Sequence, residues 1–243
     1  MYGLYSKKPP SRNNSCNNGQ VRQERCQPDD VMNQTMNQPM VYPLFSTPLY
    51  INDVGDFECP DIKKLAYTSK VPTGGQVPFL SSTDKHVLDR PEFAHIHELV
   101  MNEVNRYGRE VLRVNRDIEF YITNSWVNVY RPGDQAGSHT HNNSLFSGVL
   151  YLKVAEDSGD IIFYRDILSL VPFPPALDLA IDASTIYNCK HFGHSPKKNE
   201  VVIFPSIVLH SVSQNNSNEE RWCIAFNVFV RGDIGGLHEL VLK

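Results

Sequence analysis

Between Ile118 and Tyr130 the chain alternates between two kinds of side chain, with Asn124, Trp126, Asn128 and Tyr130 on one face and Thr123, Ser125, Val127 and Val129 on the other. That period of two predicts a strand. A face of amides and aromatics suits a dry core poorly, because buried polar groups need partners, so it is expected to line a polar cavity. A second alternating run, Arg221 to Arg231, sorts Arg221, Cys223, Ala225 and Asn227 from Trp222, Ile224, Phe226 and Val228. Its large apolar groups are expected to pack against covering structure and its small or polar face to border a ligand cavity. Shorter runs predict strands at Leu145 to Lys153 and Asp160 to Arg165, joined as a hairpin around Glu156-Asp157-Ser158-Gly159, and at Val201 to Phe204 and Val208 to Val212. Arg131-Pro132-Gly133-Asp134 breaks the first of these runs, and Gln214 to Glu220 forms a polar loop.

Upstream, Phe93, Ile96, Leu99, Val100 and Val104 recur at helical spacing, predicting a helix from Arg90 or Pro91 to Tyr107 that Gly108 ends and whose apolar face covers a sheet. Val41 to Ile51 reads as a first strand, and its prolines place it at an edge. Between Asp166 and Ser195 the signal is weak. Val171-Pro172-Phe173-Pro174-Pro175 predicts a rigid, non-helical crossing, followed by a strand near Leu179 to Ile181. Many short strands behind one long helix predict a mainly β single domain, a sandwich or squashed barrel with buttressing helices.

Composition narrows the setting. Residues 1–40 are rich in Asn and Gln, with the repeat MNQTMNQPM, and offer too little apolar area to offset ordering, so they read as a flexible arm. The domain is then expected over residues 41–231, with 232–243 as a C-terminal tail. A formal charge of −4 gives no attraction to phosphates or anionic lipid, which argues against nucleic acid and membrane as partners. There is no signal-peptide pattern and no apolar run of bilayer length, so a soluble, cytoplasmic protein is expected. The five cysteines, Cys16, Cys26, Cys59, Cys189 and Cys223, show no paired spacing and read as reduced thiols.

The chemistry concentrates in Ser125 to Lys153. His139 and His141 flank one residue, a spacing that lets both imidazoles reach one metal from a sheet edge. His210, at the start of a later strand, is the candidate third ligand. Three imidazoles would bind a divalent transition metal. Arg221, eleven residues beyond His210, would hold a carboxylate bidentately. His95, His97, His191, His194 and His238 lack this context and are expected to be solvated.

These residues resemble a family. Tyr130-x-x-Gly133, His139-x-His141, the run Leu150 to Phe163, His210 and Arg221 are similar to the pattern of Fe(II)/2-oxoglutarate-dependent dioxygenases, prolyl-4-hydroxylase-like members in particular. More closely, LFSTPLY, SWVNVY, SGVLYL, IFPSIVLHSV and RWCIAFN resemble a bacterial and phage group of such oxygenases whose substrate is unassigned. The resemblance runs from about Val41 to Val230 and implies a double-stranded β-helix (jelly-roll, cupin-like) fold. It further implies Fe(II) and 2-oxoglutarate as cofactors, His139, His141 and His210 as metal ligands, and Arg221 as anchor of the 2-oxoglutarate C5 carboxylate. Tyr130 and Tyr151 are the implied hydroxyl donors, with Asn128 and Asn227 beside them. The implied reaction hydroxylates a C–H bond of a small-molecule or peptide substrate while 2-oxoglutarate becomes succinate. One departure stands out: His141 occupies the place where the wider superfamily has a carboxylate. Two alternatives stay open on sequence, a non-catalytic binding or assembly module of the same fold and a three-histidine cupin-type metal dioxygenase. Oligomerisation, or docking through the N-terminal arm, is likewise open.

Overall fold

The computed structural model describes residues 39–70, 79–165, 179–234 and 240–242. The chain divides into two compact units, residues 1–42 and Pro43–Lys243. In the first, the described residues 39–42 are exposed and have no regular structure; the expected arm otherwise lies outside the described residues. The rest of this account concerns the second unit.

Its strands are, in order, β1 (Tyr50–Asp53), β2 (Tyr67–Lys70), β3 (Phe79–Ser82), β4 (Glu119–Tyr130), β5 (Ala136–His139) and β6 (Phe146–Lys153). β7 (Ile161–Tyr164), β8 (His191–His194), β9 (Glu200–Pro205), β10 (His210–Val212), β11 (Arg221–Ile234) and β12 (Leu240–Leu242) follow. Among the described residues they form two sheets. The large one runs β1-β9-β6-β11-β4-β3-β2, with β12 paired to β11, and the small one runs β5-β10-β7-β8. This is a mainly β, double-stranded β-helix domain.

The long alternating strands do what their patterns demand. β4 and β11 pair antiparallel, with Tyr130 opposite Arg221, Asn128 opposite Cys223 and Trp126 opposite Ala225. β6 continues the rows, setting Tyr151 opposite Cys223, Val149 opposite Ala225 and Ser147 opposite Asn227. Residues directly opposite share a face, so the polar face of β4 and the small face of β11 merge into one wall. The other face carries Val127, Val129, Ile224, Phe226 and Val228 into a core shared with the helix α1 (Ala94–Arg106) through Ile96, Val100 and Val104. A second core lies toward the small sheet and includes Tyr151, Ile161, Phe163, Val202 and Phe204.

Several expectations change in three dimensions. β6 and β7 do not form a hairpin: β6 pairs with β9 and β11, β7 with β10 and β8. The turn between them carries the chain from one sheet to the other, and it does so through two left-handed residues, Asp157 (φ 59°) and Gly159 (φ 95°). Gly108 does not end the helix. The chain continues as a π turn over Tyr107–Val111, and a Cβ on Gly108 would run into the Phe120 ring, so the glycine serves close packing. The first strand begins only at Tyr50, because Pro43 and Pro48 lack N–H donors and Phe45 turns the chain at φ 57°. It is an edge strand, as the prolines suggested.

Leu179 to Ile181 is not a strand; Leu179 and Ile181 are 50% and 44% exposed, so no core fixes them. Regular structure in that region comes instead from β8, which its sequence HFGH did not announce. Residues 232–243 are not simply a tail, since β11 runs on to Ile234 and β12 pairs back onto Gly232–Ile234. Residues 171–175, expected as a rigid crossing, lie outside the described residues. Among those described, no helix is long and apolar enough to cross a membrane.

Candidate metal and co-substrate site

The three candidate ligands come from the small sheet's edge. β10 and β5 pair antiparallel with His210 opposite His139, so the two side chains share a face. His141 follows β5 and is held by its backbone N–H, which donates to Ser206 O at 3.0 Å. Ser206 Oγ in turn lies 2.8 Å from Ser147 Oγ, and Ser147 donates to Asn227 Oδ1 at 2.8 Å, a hydroxyl chain that ties this loop to the large sheet. The donor nitrogens of His139, His141 and His210 all lie within 4.8 Å of one another. Two nitrogens on one ion at about 2.1 Å each stand roughly 3–3.5 Å apart, so ring rotations of about an ångström close the set.

Hydrogen bonds fix two of the ring tautomers. His139 Nδ1 faces Gly137 O at 2.8 Å and His210 Nδ1 faces Val208 O at 2.9 Å. A carbonyl only accepts, so each Nδ1 carries the proton and each Nε2 keeps its lone pair for a metal. His210 is 4% exposed, and burial, then the neighbouring His139, pulls its pKa down to about 3. Burial and His139 likewise lower His141 to about 4. Both rings are neutral at pH 7, the state that ligation requires. The Trp126 ring stacks on His141 with centroids 5.9 Å apart.

Across the cavity lies Arg221, 1% exposed. Its guanidinium packs over the Tyr130 ring at 4.4 Å and donates from Nη1 to Gly159 O at 2.5 Å, while Nε has no hydrogen-bond partner. Among the described residues no carboxylate pairs with it. A buried cation with an orphaned N–H is the mark of an anion site. Asn128 Oδ1 is a second orphan on the same wall. Burial raises the Tyr130 and Tyr151 hydroxyls far above their ordinary range, so both stay protonated donors, and it pushes Cys223 up to about 11.

The cavity is lined by Trp126, Asn128, Tyr130, the three histidines, Tyr151 and Arg221, among others, so seven of the eight sequence-expected site residues converge here. Asn227 does not line it; it sits behind, accepting from Ser147. Trp126, Ser147 and the Gly159 carbonyl complete the site, and only Trp126 had a signal in the sequence, its place in the alternating face. The enclosed volume is about 50 Å³, room for a few waters at most. The imidazole cluster and the buried guanidinium face the same cavity, and a molecule larger than a few waters between them would require lining side chains to move. A wider groove of about 800 Å³ lies between α1 and β1. Its buried Glu103 is already bound by Tyr50, Asn52 and Arg106, which makes it a bracket between elements.

Of the histidines expected to be solvated, His95 and His191 are exposed and His97 is half-buried, while His238 lies outside the described residues. His194 departs from that expectation: its Nε2 is 2.8 Å from Glu200 Oε2, and its side chain is only 18% exposed.

Residues 124–227 match the family model described as "Putative 2OG-Fe(II) oxygenase". Over that segment, less than half of the chain, the sequence is similar to the 2OG-Fe(II) oxygenase family. That match spans β4 to β11 and contains all three histidines, Arg221 and the tyrosines. Fe(II) and 2-oxoglutarate are that family's cofactors, and the donors present suit them: neutral nitrogens for the ion and a buried guanidinium whose Nε has no partner for the acid. Among solved structures, an oxidoreductase of the 2OG-Fe(II) oxygenase family from Burkholderia pseudomallei is 16% identical, with 68% of this chain and 74% of that one covered and a TM-score of 0.48. HygX from Streptomyces hygroscopicus, with nickel and 2-oxoglutarate bound, is 10% identical over 75% of this chain and 82% of its own, also at 0.48. A prolyl-4-hydroxylase from Pseudomonas putida is 16% identical over 62% and 67%, at 0.36. No curated protein matches the chain.

Proposed function

We propose that this oxygenase hydroxylates a C–H bond of a small-molecule or peptide substrate at the expense of 2-oxoglutarate. When bound, iron and 2-oxoglutarate supply the oxidation, in which 2-oxoglutarate, O₂ and R–H become succinate, CO₂ and R–OH. The protein's part is binding and orientation. His139, His141 and His210 present three neutral lone pairs to one point. Arg221 takes the far carboxylate of the acid by paired N–H bonds, with the Tyr130 hydroxyl beside it and the Tyr151 hydroxyl on the same wall. The apolar residues Val149, Ile161 and Phe204 keep water from the space between the two subsites.

The observation that carries the reading is the pairing, in one cavity, of a three-imidazole cluster with a buried guanidinium whose Nε is unpartnered. Its test is an anaerobic Fe(II) titration with and without 2-oxoglutarate, followed by visible absorption. The expected result is a new absorption band that needs both, and succinate formation on admitting O₂. Failure to bind either component sinks the reading.

A further inference from the structure

We propose that the substrate to be hydroxylated carries an anionic group, a carboxylate or a phosphate ester, which Lys70 binds beside the Trp126 ring at the open side of the cavity, with Lys85 adding to the positive potential; this rests on the oxygenase reading above. The cavity is closed at Arg221 and open at the histidines, where His139 is exposed and His141 and Trp126 are half-buried. Trp126 lines the cavity and stacks on His141. Lys70 reaches the same indole from β2, its Nζ 5.9 Å from the ring centroid. Lys85 arrives from the other direction. Its carbonyl accepts from the Ser125 N–H at 2.7 Å, and its Nζ donates to Ser81 Oγ at 3.0 Å. Ser81 is opposite Asn128 of the cavity wall, so this ammonium lies on the cavity side of the sheet.

The charges on this side are all of one sign. Among the described residues neither lysine forms a salt bridge: the partner of Lys70 is a ring, and those of Lys85 are Ser81 and Ser82. Residues 71–78, which follow Lys70, contain no Asp or Glu, and no carboxylate lines the cavity. Asp84 is engaged by the His86 N–H at 2.8 Å and by Arg90 at 3.8 Å. Burial and then the charge of Lys70 lower the Lys85 pKa, against a smaller opposing effect of Asp84. Two ammoniums that repel each other without a counter-charge favour an anion between them, and an ammonium suits a carboxylate or a phosphate equally as a point charge. The indole beside them offers a flat apolar face to the rest of the molecule. Because that indole stands beside both Lys70 and His141, a substrate anchored by its acid lies on the histidine side of the cavity. The anion is held by the protein's own cations and takes no place at the metal. With a net charge of −4 on the whole chain, the patch acts at short range and not by steering from a distance.

The test uses the full chain saturated with Zn(II) and 2-oxoglutarate, so that the Arg221 end is already filled. It is titrated at constant ionic strength with hexanoate, hexyl phosphate, hexanamide and hexylamine, and followed by tryptophan emission. Trp126 is one of two tryptophans, and the other, Trp222, lies in the core on the helix side. One or both acids should saturate the signal, about tenfold tighter than the amide or the amine. Lys70→Gln should weaken the acid about three- to fivefold, the effect shrinking as salt is raised, and Lys70→Arg should hold it within about twofold. Tighter binding of hexanoate assigns the group to a carboxylate, and tighter binding of hexyl phosphate assigns it to a phosphate ester. If zinc and 2-oxoglutarate bind but neither acid saturates, or the amide binds as tightly as the acids, or Lys70→Gln changes nothing, this proposal is overturned alone. If the parent binds neither zinc nor 2-oxoglutarate, the oxygenase reading falls and this proposal falls with it.

Discussion

Arg221 is the largest fully buried side chain among the described residues, and its Nε has no partner. Keeping a guanidinium there without an anion is costly, so the site is poised for a carboxylate. Arg221→Gln should weaken 2-oxoglutarate binding by about 2–4 kcal/mol while leaving iron bound, as calorimetry on the two variants would show; equal affinity would remove Arg221 from its role. His210 makes a separate prediction about pH. Its pKa lies below that of an unfolded histidine, so the unfolded state binds the extra proton first. The stability it contributes is present above about pH 6.5 and is lost as pH falls toward about 3, on the order of a few kcal/mol. Denaturant melts of the metal-free protein between pH 7 and 4 should show that loss, and His210→Gln should flatten it. The same variant should fail to retain iron, and His97→Ala should keep it.

Elements act on the site through their pairing. β10 is only three residues long, yet by lying between β5 and β7 it brings His210 against His139. The turn after β6 was expected to close a hairpin, but its left-handed residues send the chain to the other sheet and leave Gly159 O facing Arg221. A side chain on Gly159 would press on the Ser213 carbonyl and on the Arg221 guanidinium and would be strained at φ 95°, so Gly159→Ala should lower stability in urea unfolding as well as co-substrate affinity. On the far side, Glu103 of α1 accepts from Tyr50 and Asn52 of β1. Glu103→Ala leaves those donors unpaired and should cost about 1–3 kcal/mol in urea unfolding, with iron affinity unchanged. A loss of iron in that variant would mean that the bracket reaches the site.

At the scale of the molecule, stability and chemistry are held in different places. The core between the large sheet and α1 is built of apolar side chains and its buried Ser125 and Glu103 are hydrogen-bonded, whereas the wall facing the small sheet keeps unpaired polar atoms. Ile224→Ala, at a fully buried core position, should lower stability by about 2–5 kcal/mol. His139→Ala, at an exposed position, should leave the metal-free melting temperature nearly unchanged. Adding metal should raise the melting temperature of the parent, since the ion binds only the folded state, and should not raise that of His139→Ala.

Much of this was legible because alternation is a local property: side chains two apart share a face whatever the sheet around them, so the two faces of β4 and β11 could be read from order alone. The helix stripe, the His-x-His spacing and the interval from His210 to Arg221 were legible for the same reason. What the order of residues left undecided were pairings over distance. Which strands bond to which, the crossing of the turn after β6 into the other sheet, and the existence of β8 depend on contacts between segments far apart in sequence, where register and not propensity decides. Asn227 shows the difference most plainly: its face was read correctly, but only the neighbouring Ser147 on β6 decides that its amide accepts a hydroxyl and stays behind the cavity wall.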